Sequence, residues 1–576
     1  MNRLAERPVY DGALYHRLFR GWKLSRLLAA LCAGVISGQP AWSAQQAPDL
    51  ILFDGHIFTS DPGHLHAEAL AIRGERITAV GETAAIEPLA DSHTKLIDLH
   101  GRTVIPGLND AHAHLGIWPA DEVFVETEGY NPNWSELQEA LRKASAHAPK
   151  GTILSGTIGT AIFYDPAIDK TTLDKAVPDH PVVLETFDGH VAILNTPALH
   201  KLGIDEGVAD PAGGRFERDR NGKLTGVVRE NAVDTVQDRL NAITSDADAE
   251  MALRQQLEHA ARYGITTIQD MPIGMSPIRT ATLLAHVPTP IRVRITPMNM
   301  ALPEGLGHPS PLVSVNGTKW VLDGVVFEGS LTSRNGAAAN SQVAGGPYSF
   351  AGLPPLYPPK TVEGMLRDAL RSHYQLQFHV AGRPAAIELL DAMEHTGGAA
   401  VWGDQRLRFE HGDGLTPDLI TRVKKLGVIV SQQGTHLDIA GIDPGLGPHL
   451  LERMRVDRVE PLRSLLAEDV NLALGSDGPL NPWLSIFGAT TDPNRPDEAI
   501  SREQAVIAYT FGSAFAEFAE KDKGSLAPGK LADLAVLSQD IFTVAPLELH
   551  KTRSVLTLVG GQSVYEAPEP GKAASR

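Results

Sequence analysis

Histidine, lysine and aspartate residues occur at or near the ends of short apolar runs along much of this chain. The first run, at residues 103–108, leads into His112 and His114. Side chains alternate along an extended strand, so these two imidazoles project from one face and can bind one metal ion. A single His-x-His pair is also ordinary on a protein surface. The series of similar residues that follows is what indicates a metal centre, and its members are Lys319, His379, His411 and Asp477.

Eight apolar runs are predicted to be the strands that position these side chains, and most are separated by helix-like stretches. They lie at residues 103–114, 265–270, 291–295, 318–322, 376–379, 407–411, 428–432 and 472–477. This alternation predicts an α/β fold, a (β/α)₈ TIM barrel with its site at the carboxyl ends of the strands. Because residues alternate along a strand, we expect Glu410 to face the surrounding helices and not the metals.

The two ends of the chain have a different sequence pattern, because short strand-like segments occur at 44–105 and again at 524–566. They predict one composite β-sandwich domain built from both termini. The metal-dependent barrel is expected at 106–523, with an inserted subdomain at about 118–255, since a normal βα connection is far shorter. A Gly/Pro-rich stretch at 345–359 is expected to be a rim loop, and 567–576 a flexible tail.

The N-terminal segment predicts export. Basic residues such as Arg17 and Arg26 precede an apolar run at 27–36 and small residues near Ser43 and Ala44, which is typical of a cleavable signal peptide over 1–43. A secreted or periplasmic protein is expected, with membrane anchoring by this segment as the alternative. The only cysteine, Cys32, lies in it, so the processed chain could form no disulfide.

The charge of the chain limits its partners. The formal net charge is -18, and removal of residues 1–43, with six basic and two acidic residues, would make it -22. Such a chain is not expected to bind nucleic acid or an anionic membrane surface. We expect a small-molecule substrate, no stable membrane span after processing, and a possible homodimer.

Seven motifs, taken in order, resemble the amidohydrolase superfamily, in particular the branch of YtcJ-like proteins and N-substituted formamide deformylases (amidohydrolase family 3). They cover nearly everything after residue 48. The motifs are Val104-Ile105-Pro106-Gly107 with His112 and His114; Asp188-Gly189-His190 with Asn195; Tyr263-Gly264-Ile265-Thr266-Thr267; Lys319 with Asp323-Gly324; Arg408-Phe409-Glu410-His411; Leu474-Gly475-Ser476-Asp477; and the run from Gly524 to Leu534. The chain departs from the family after the fifth strand, where Gly382-Arg383-Pro384 replaces the usual Gly-Asp-Arg.

The resemblance implies a centre of one or two divalent metal ions, with zinc as the expected metal. His112, His114 and Asp477 would hold one ion, and His379 and His411 a second. Lys319, carboxylated by CO₂, would bridge the two, or it would remain a salt-bridged lysine beside a mononuclear centre. Asp477 would also be the catalytic acid–base group, since it can take a proton from water and pass it to a leaving nitrogen.

Substrate contacts are predicted at the rim. His190, Asp323, Arg334 and Arg383 are the substrate-binding candidates, each with a structural role as the alternative; for Arg383 this is pairing with Glu388. His436, after the seventh strand, is a weaker site candidate.

The predicted activity is hydrolysis of a C–N bond in a small amide, formamide or N-acyl compound. The same centre could cleave an ester, lactone or phosphotriester. Two alternatives of another class are a non-catalytic, metal-binding secreted protein and a histidine-ligated iron or copper oxidase. The first needs neither Lys319 nor Asp477, and the second suits an all-β cupin, which conflicts with the strand–helix alternation.

Overall fold

The computed structural model describes residues 47–568, except 128–131, 160–161, 163–164, 166, 187–188, 303–304, 325–354, 439–459 and 494. The predicted signal peptide, Asp188, Arg334 and most of the predicted rim loop at 345–359 lie outside the described residues.

The strands of the described residues are numbered in chain order. They are β1 Leu50–Phe53, β2 His56–Phe58, β3 His66–Ala67, β4 Ala69–Arg73, β5 Arg76–Gly81, β6 Lys95–Asp98, β7 Thr103–Pro106, β8 Leu108–Ala113, β9 Val123–Phe124, β10 Leu154–Ile158, β11 Val182–Thr186, β12 Val191–Leu194, β13 Gly214–Arg218, β14 Leu224–Glu230, β15 Ile265–Asp270, β16 Arg292–Ile295, β17 Val313–Val315, β18 Thr318–Val321, β19 Leu376–Val380, β20 Arg408–His411, β21 Ile429–Gln432, β22 Leu472–Leu474, β23 Leu534–Leu537, β24 Ser554–Val559 and β25 Gln562–Glu566.

The α-helices are numbered in the same way. They are α1 Thr83–Ile86, α2 Trp134–His147, α3 Lys170–Ala176, α4 Thr196–Lys201, α5 Asn231–Ile243, α6 Asp246–Arg262, α7 Pro277–His286, α8 Pro359–Ser372, α9 Arg383–His395, α10 Gly398–Trp402, α11 Pro417–Leu426, α12 Leu462–Ala467, α13 Pro482–Thr491, α14 Arg502–Ile507 and α15 Ser513–Ala516. Short 3₁₀ turns occur at Glu87–Leu89, Gly434–Asp438 and Pro546–Lys551, and a π-helical turn at Ala508–Gly512.

Both ends of the chain contribute to one six-stranded sheet, of order β25-β24-β23-β7-β2-β3. A second sheet, β5-β4-β1-β6, has four strands. Alternate apolar side chains of the two sheets form one buried cluster, in which Leu52 and Ile72 pack with Val536 and Leu558. The N-terminal strands therefore share a core with the C-terminal strands.

A six-stranded mixed sheet, β13-β14-β12-β11-β10-β9, occupies the long segment after β8. Its two faces carry separate buried clusters, one around Leu154 and Leu184 and the other around Leu194 and Val228. The segment therefore has a core on each side of its own sheet.

Each of the eight predicted central runs contains a strand, namely β8, β15, β16 and β18–β22. All strand pairs in the two central sheets are parallel, in the orders β17-β16-β15-β8 and β18-β19-β20-β21-β22. Helices such as α6 lie between consecutive strands. Ser245 accepts a hydrogen bond from the Asp248 N–H to begin α6, and its buried Leu253 and Leu257 are four residues apart on one face.

Backbone hydrogen bonds link the two parallel sheets at both junctions. The Lys319 N–H donates to the Pro297 carbonyl at 2.8 Å, and the Asp477 N–H donates to the His112 carbonyl at 2.8 Å. Gly475 permits the second contact, because a Cβ there would lie 2.5 Å from the His112 nitrogen. The fold is thus mixed α/β, and the predicted metal-site residues meet where these sheets approach.

Among the described residues, no helix is both long enough and apolar enough to span a bilayer.

Candidate metal centre

His112, His114 and Asp477 converge at the carboxyl end of β8. His112 Nε2 lies 3.3 Å from Asp477 Oδ1, and His114 Nε2 lies 3.1 Å from the same oxygen. Asp477 has a left-handed backbone with φ 51°, just beyond β22. The two imidazoles therefore meet one carboxylate oxygen, and these three ligand atoms could hold a metal ion.

The other oxygen of Asp477 faces a second pair of imidazoles. Its Oδ2 is 3.9 Å from His411 Nδ1 and 3.5 Å from His436 Nε2. The rings of His411 and His436 are stacked, with centroids 5.5 Å apart and planes 18° apart. His411, His436 and Asp477 form a second possible metal-ligand group.

Lys319 lies beside the first group. Its side chain is buried, and its Nζ is 2.9 Å from His112 Nε2. Burial lowers the pKa of Lys319 to about 8, because the charged ammonium is poorly solvated there. Near neutral pH, an appreciable fraction of this lysine would be the neutral amine.

His379 also reaches this region, at the end of β19. Its ring centroid is 4.4 Å from that of His411. The Nε2 atom is buried without a hydrogen-bond partner among the described residues, and Asp323 Oδ1 lies 3.8 Å from it. Burial holds the pKa of His379 well below its usual value, so the ring is neutral. A buried, neutral imidazole nitrogen without a partner fits a metal centre.

Glu410 faces the site, and the expectation that it would face the surrounding helices is wrong. Its Oε2 accepts from His112 Nδ1 at 2.8 Å. Glu410 and Arg408 share the inward face of β20, whereas His411 ends that strand with φ 74°. This left-handed turn breaks the alternation, so consecutive residues can both approach the centre.

Hydrogen-bond partners at the Nδ1 atoms orient the rings of His112 and His114. Glu410 holds Nδ1 of His112, and the Met271 carbonyl lies 2.6 Å from Nδ1 of His114. An Nδ1–H that donates to an oxygen leaves Nε2 with its lone pair, which is the tautomer a metal ligand needs. Both Nε2 atoms face Asp477.

The charges of the centre favour an ionised Asp477. Burial alone would raise its pKa, but His112 and His114 outweigh burial and hold the pKa of Asp477 well below its usual value. For His112, burial and Lys319 lower the pKa, while Asp477 and Glu410 more than compensate. An ionised carboxylate between two imidazoles is a suitable donor set for a divalent cation, which would take the place of a proton on His112.

His190, a predicted substrate contact, comes from the mixed sheet after β8. Its Nδ1 lies 2.7 Å from Glu230 Oε2, and its ring centroid is 5.1 Å from that of His379. Glu230 is buried and has φ 50° at the junction of β14 and α5. The structure thus brings His190 to the edge of the centre, oriented by a carboxylate.

Asp323 is buried and engaged by backbone donors. It accepts from the N–H groups of Ala381 and Gly382 at 2.9 and 2.6 Å. These contacts hold the turn after β19, directly beyond His379. The geometry favours the structural alternative that the sequence left open for Asp323.

Arg383 is 40% exposed and donates to Asp418 Oδ2 at 3.1 Å. The predicted pairing of Arg383 with Glu388 is wrong, because Arg383 pairs with the Asp418 carboxylate on α11 instead. Arg383 remains only a predicted substrate contact, and Arg334 lies outside the described residues.

Three residues near the centre were underestimated or missed by sequence reasoning. Glu230 and Glu460 were missed. His436 was predicted to be only a weak candidate, although its Nε2 lies 3.5 Å from Asp477 Oδ2. Glu230 ends the apolar strand β14, which is the signal that identified the other candidates. Glu460 has no such signal in the sequence.

Parallel strands carry histidines and an aspartate at or just beyond their carboxyl ends, beside a buried lysine, and these groups form a candidate metal centre. A sequence model described as "Amidohydrolase family" matches residues 95–565, and the chain belongs to that family. The predicted resemblance is confirmed. The protein is therefore an enzyme, an amidohydrolase that acts on carbon–nitrogen bonds.

Two curated relatives are similar over most of their lengths. Protein LONG AFTER FAR-RED 3 of Arabidopsis thaliana is 30% identical over 549 residues, which cover 90% of this chain and 91% of the relative. N-substituted formamide deformylase of Arthrobacter pascens is 26% identical over 563 residues, or 90% and 99% of the two chains.

A solved structure shares the fold. It is an uncharacterized metal-dependent hydrolase from Pyrococcus horikoshii OT3, with a TM-score of 0.63 and 20% sequence identity. The match covers 86% of this chain and 99% of that one. The mixed α/β architecture is thus shared with that solved structure.

Proposed function

We propose that this amidohydrolase cleaves the C–N bond of a small amide, formamide or N-acyl compound at a centre of one or two divalent cations, zinc by preference. The convergence of His112 and His114 on one oxygen of Asp477 carries this proposal. The similarity to a formamide deformylase supports the choice of bond, and that enzyme's substrate class is adopted here only as part of the proposal.

The donor set fits such cations. His112, His114 and Asp477 would hold one ion, and the unpartnered Nε2 of His379 lies with His411 at the same centre. When bound, the metal would lower the pKa of a water molecule and polarise the scissile carbonyl. Asp477 would accept the proton of the attacking water and transfer it to the leaving nitrogen.

Lys319 is proposed to carry a carbamate formed with CO₂. Only the neutral amine reacts with CO₂, and the lowered pKa of about 8 increases its fraction near neutral pH. The carbamate would place an anion beside His112 Nε2, where the amine now lies at 2.9 Å. It would thereby replace a positive charge that opposes cation binding.

The two central sheets are proposed to form one (β/α)₈ barrel. The hydrogen bonds from Lys319 and Asp477 across the two junctions support closure. The domain boundaries at 44–105, 106–523 and 524–566, with the insertion at about 118–255, belong to this proposal. The shared core of the two terminal sheets supports the composite sandwich.

The substrate is proposed to be compact. His190 reaches the centre from the sheet after β8, so the amine side of the substrate would lie under this segment. The ion pair of Arg383 with Asp418 weakens the case for a carboxylate-bearing substrate. A neutral formamide is therefore as well supported as an N-acyl amino acid.

Export to the periplasm or the medium, with processing near Ser43 or Ala44, is also proposed from the composition of residues 1–43. N-terminal sequencing of the protein from its native host tests it. An intact Met1 in the cytoplasmic fraction would refute export.

Chelation followed by metal addition tests the proposed reaction. Formamides, N-acyl amino acids, cyclic amides and esters would be supplied to metal-replete protein, to metal-free protein, and to metal-free protein with zinc or manganese restored. We expect C–N cleavage that is lost on chelation and returns with metal. Undiminished turnover by exhaustively metal-free protein would refute the metal mechanism.

A further inference from the structure

We propose that the protein binds a small oxyanion, a carboxylate or a phosphate, in a cavity at the amino ends of β16 and β17, with Arg294 as its counter-charge. The metal centre lies at and beyond the carboxyl ends of the strands, so this cavity is a separate site. The inference goes beyond the proposed hydrolysis and does not depend on it.

The cavity has a volume of about 300 Å³. Its outer wall is the segment before β17, where His308 is exposed, and its inner wall includes the buried Thr267, Arg294 and Lys523. Each water molecule occupies about 30 Å³ in the liquid, so a small oxyanion and several waters would fit together. A ligand could enter past His308.

Arg294 is a buried cation without a counter-charge. Its Nη2 donates to two neutral acceptors, Gln375 Oε1 at 2.8 Å and the Asn316 carbonyl at 3.2 Å. Among the described residues, its Nε and Nη1 have no hydrogen-bond partner, and no carboxylate forms an ion pair with it. Burial lowers the pKa of Arg294 to about 10, so the guanidinium is still charged near neutral pH. A buried charge in this condition is costly.

The other charged groups around the cavity are already paired. Arg292 donates to both carboxylate oxygens of Asp533, at 2.8 and 3.2 Å. Lys523 lies 2.8 Å from Glu517 in an ion pair. These pairs leave the positive charge of Arg294 unbalanced, and an anion in the cavity would balance it.

The chemistry of the guanidinium favours an oxyanion as the ligand. Its planar N–H groups match the spacing of carboxylate and phosphate oxygens, and such charge-assisted hydrogen bonds are strong. Both partnerless nitrogens of Arg294 are buried, so a small rotation of the guanidinium would bring one of them to the anion. A cation would be repelled from this cavity, and a neutral ligand would leave the charge unbalanced.

Calorimetric titration with phosphate and with acetate tests the site. Oxyanions also bind divalent metals, so metal-replete and metal-free protein would both be titrated, with folding checked by circular dichroism. Arg294→Gln removes the charge, and Arg294→Lys keeps it without the planar N–H groups. Arg422→Gln is the matched control, because it changes the net charge equally at an arginine on α11 that is paired with Asp391 and Glu394.

We expect the wild type and Arg422→Gln to bind at least one of the two anions with or without metal, and the tighter anion identifies the class of ligand. Arg294→Gln should weaken binding about 10-fold or more, the usual effect of losing a hydrogen bond to a charged group, and Arg294→Lys should weaken it less. Binding that disappears with the metal would place the anion at the metal centre and overturn the proposal. Wild-type affinity in either Arg294 variant would overturn it as well.

Discussion

Replacement of Glu410 by glutamine would test how strongly a buried carboxylate supports the centre. Glu410 is fully buried, holds Nδ1 of His112, and pairs with Arg408, whose Nε lies 2.8 Å from Oε1 and whose Nη2 donates to Oε2 at 3.1 Å. Glutamine has nearly the same shape and can still accept a hydrogen bond from His112. The substitution therefore removes a charge and leaves the packing in place.

The magnitude follows from the pKa of Glu410. Burial alone would raise this pKa, but Arg408 and His112 outweigh burial and lower it from 4.5 to about 2. Each tenfold change in acidity is worth 1.36 kcal/mol, so the surroundings favour the carboxylate by about 3 kcal/mol. Removal of one partner of a buried ion pair costs a similar 3–5 kcal/mol. Glu410→Gln should lower the free energy of unfolding by about 3 kcal/mol.

The contribution of Glu410 to the free energy of unfolding changes with pH in a definite direction. Because the folded-state pKa of Glu410 is depressed, its stabilisation is present above pH 4.5 and is lost as pH falls from about 4.5 to about 2. The difference in stability between wild type and Glu410→Gln should therefore shrink over that interval. Metal affinity near neutral pH should fall about 10- to 100-fold, since the orienting charge on His112 is gone.

Calorimetry and metal titration check both effects, with Glu388→Gln as the matched control. Glu388 is a partly exposed carboxylate on α9 whose Oε1 has no hydrogen-bond partner among the described residues. The control should melt and bind metal like the wild type. Wild-type melting and metal affinity in Glu410→Gln would show that the charge of Glu410 contributes nothing.

Three further substitutions test the proposed roles. Asp477→Asn should remain folded yet lower kcat by at least about 10², because the group that moves the proton is lost; near-normal turnover would reassign proton transfer. Lys319→Ala should lose metal and rate, with partial rescue by short carboxylic acids. A structure with a bare ammonium at Lys319 paired to a carboxylate would contradict the carbamate. Arg383→Ala should leave the ratio of kcat/KM for matched acid and amide forms of one substrate unchanged, since Asp418 already engages it; a fall in that ratio would identify Arg383 as a carboxylate contact.

Local patterns predicted the central strands and the residues at their ends. Apolar runs bounded by Gly and Pro turns depend only on neighbouring residues, so all eight runs could be recognised. The spacing of His112 and His114 belongs to one strand and needs no distant partner. Parallel strands that alternate with helices all end at the same edge. The sequence could therefore also predict that Lys319, His379 and Asp477 come together in space.

Other features required the three-dimensional structure. Glu410 faces inward with Arg408, and its neighbour His411 can also approach the centre because its backbone is left-handed, a conformation that no alternation rule contains. Glu230, which holds His190, lies 40 residues from it in the chain. Arg383 pairs with Asp418, 35 residues away, on the next helix but one.

The sequence by itself determined the strand series, the candidate metal ligands and the family. Only the tertiary structure decided which carboxylate orients each histidine, and that the two oxygens of Asp477 face different imidazole pairs. The physical reason is that strand periodicity comes from the repeating geometry of neighbouring residues. Hydrogen bonds and ion pairs depend instead on distances between segments that the fold brings together.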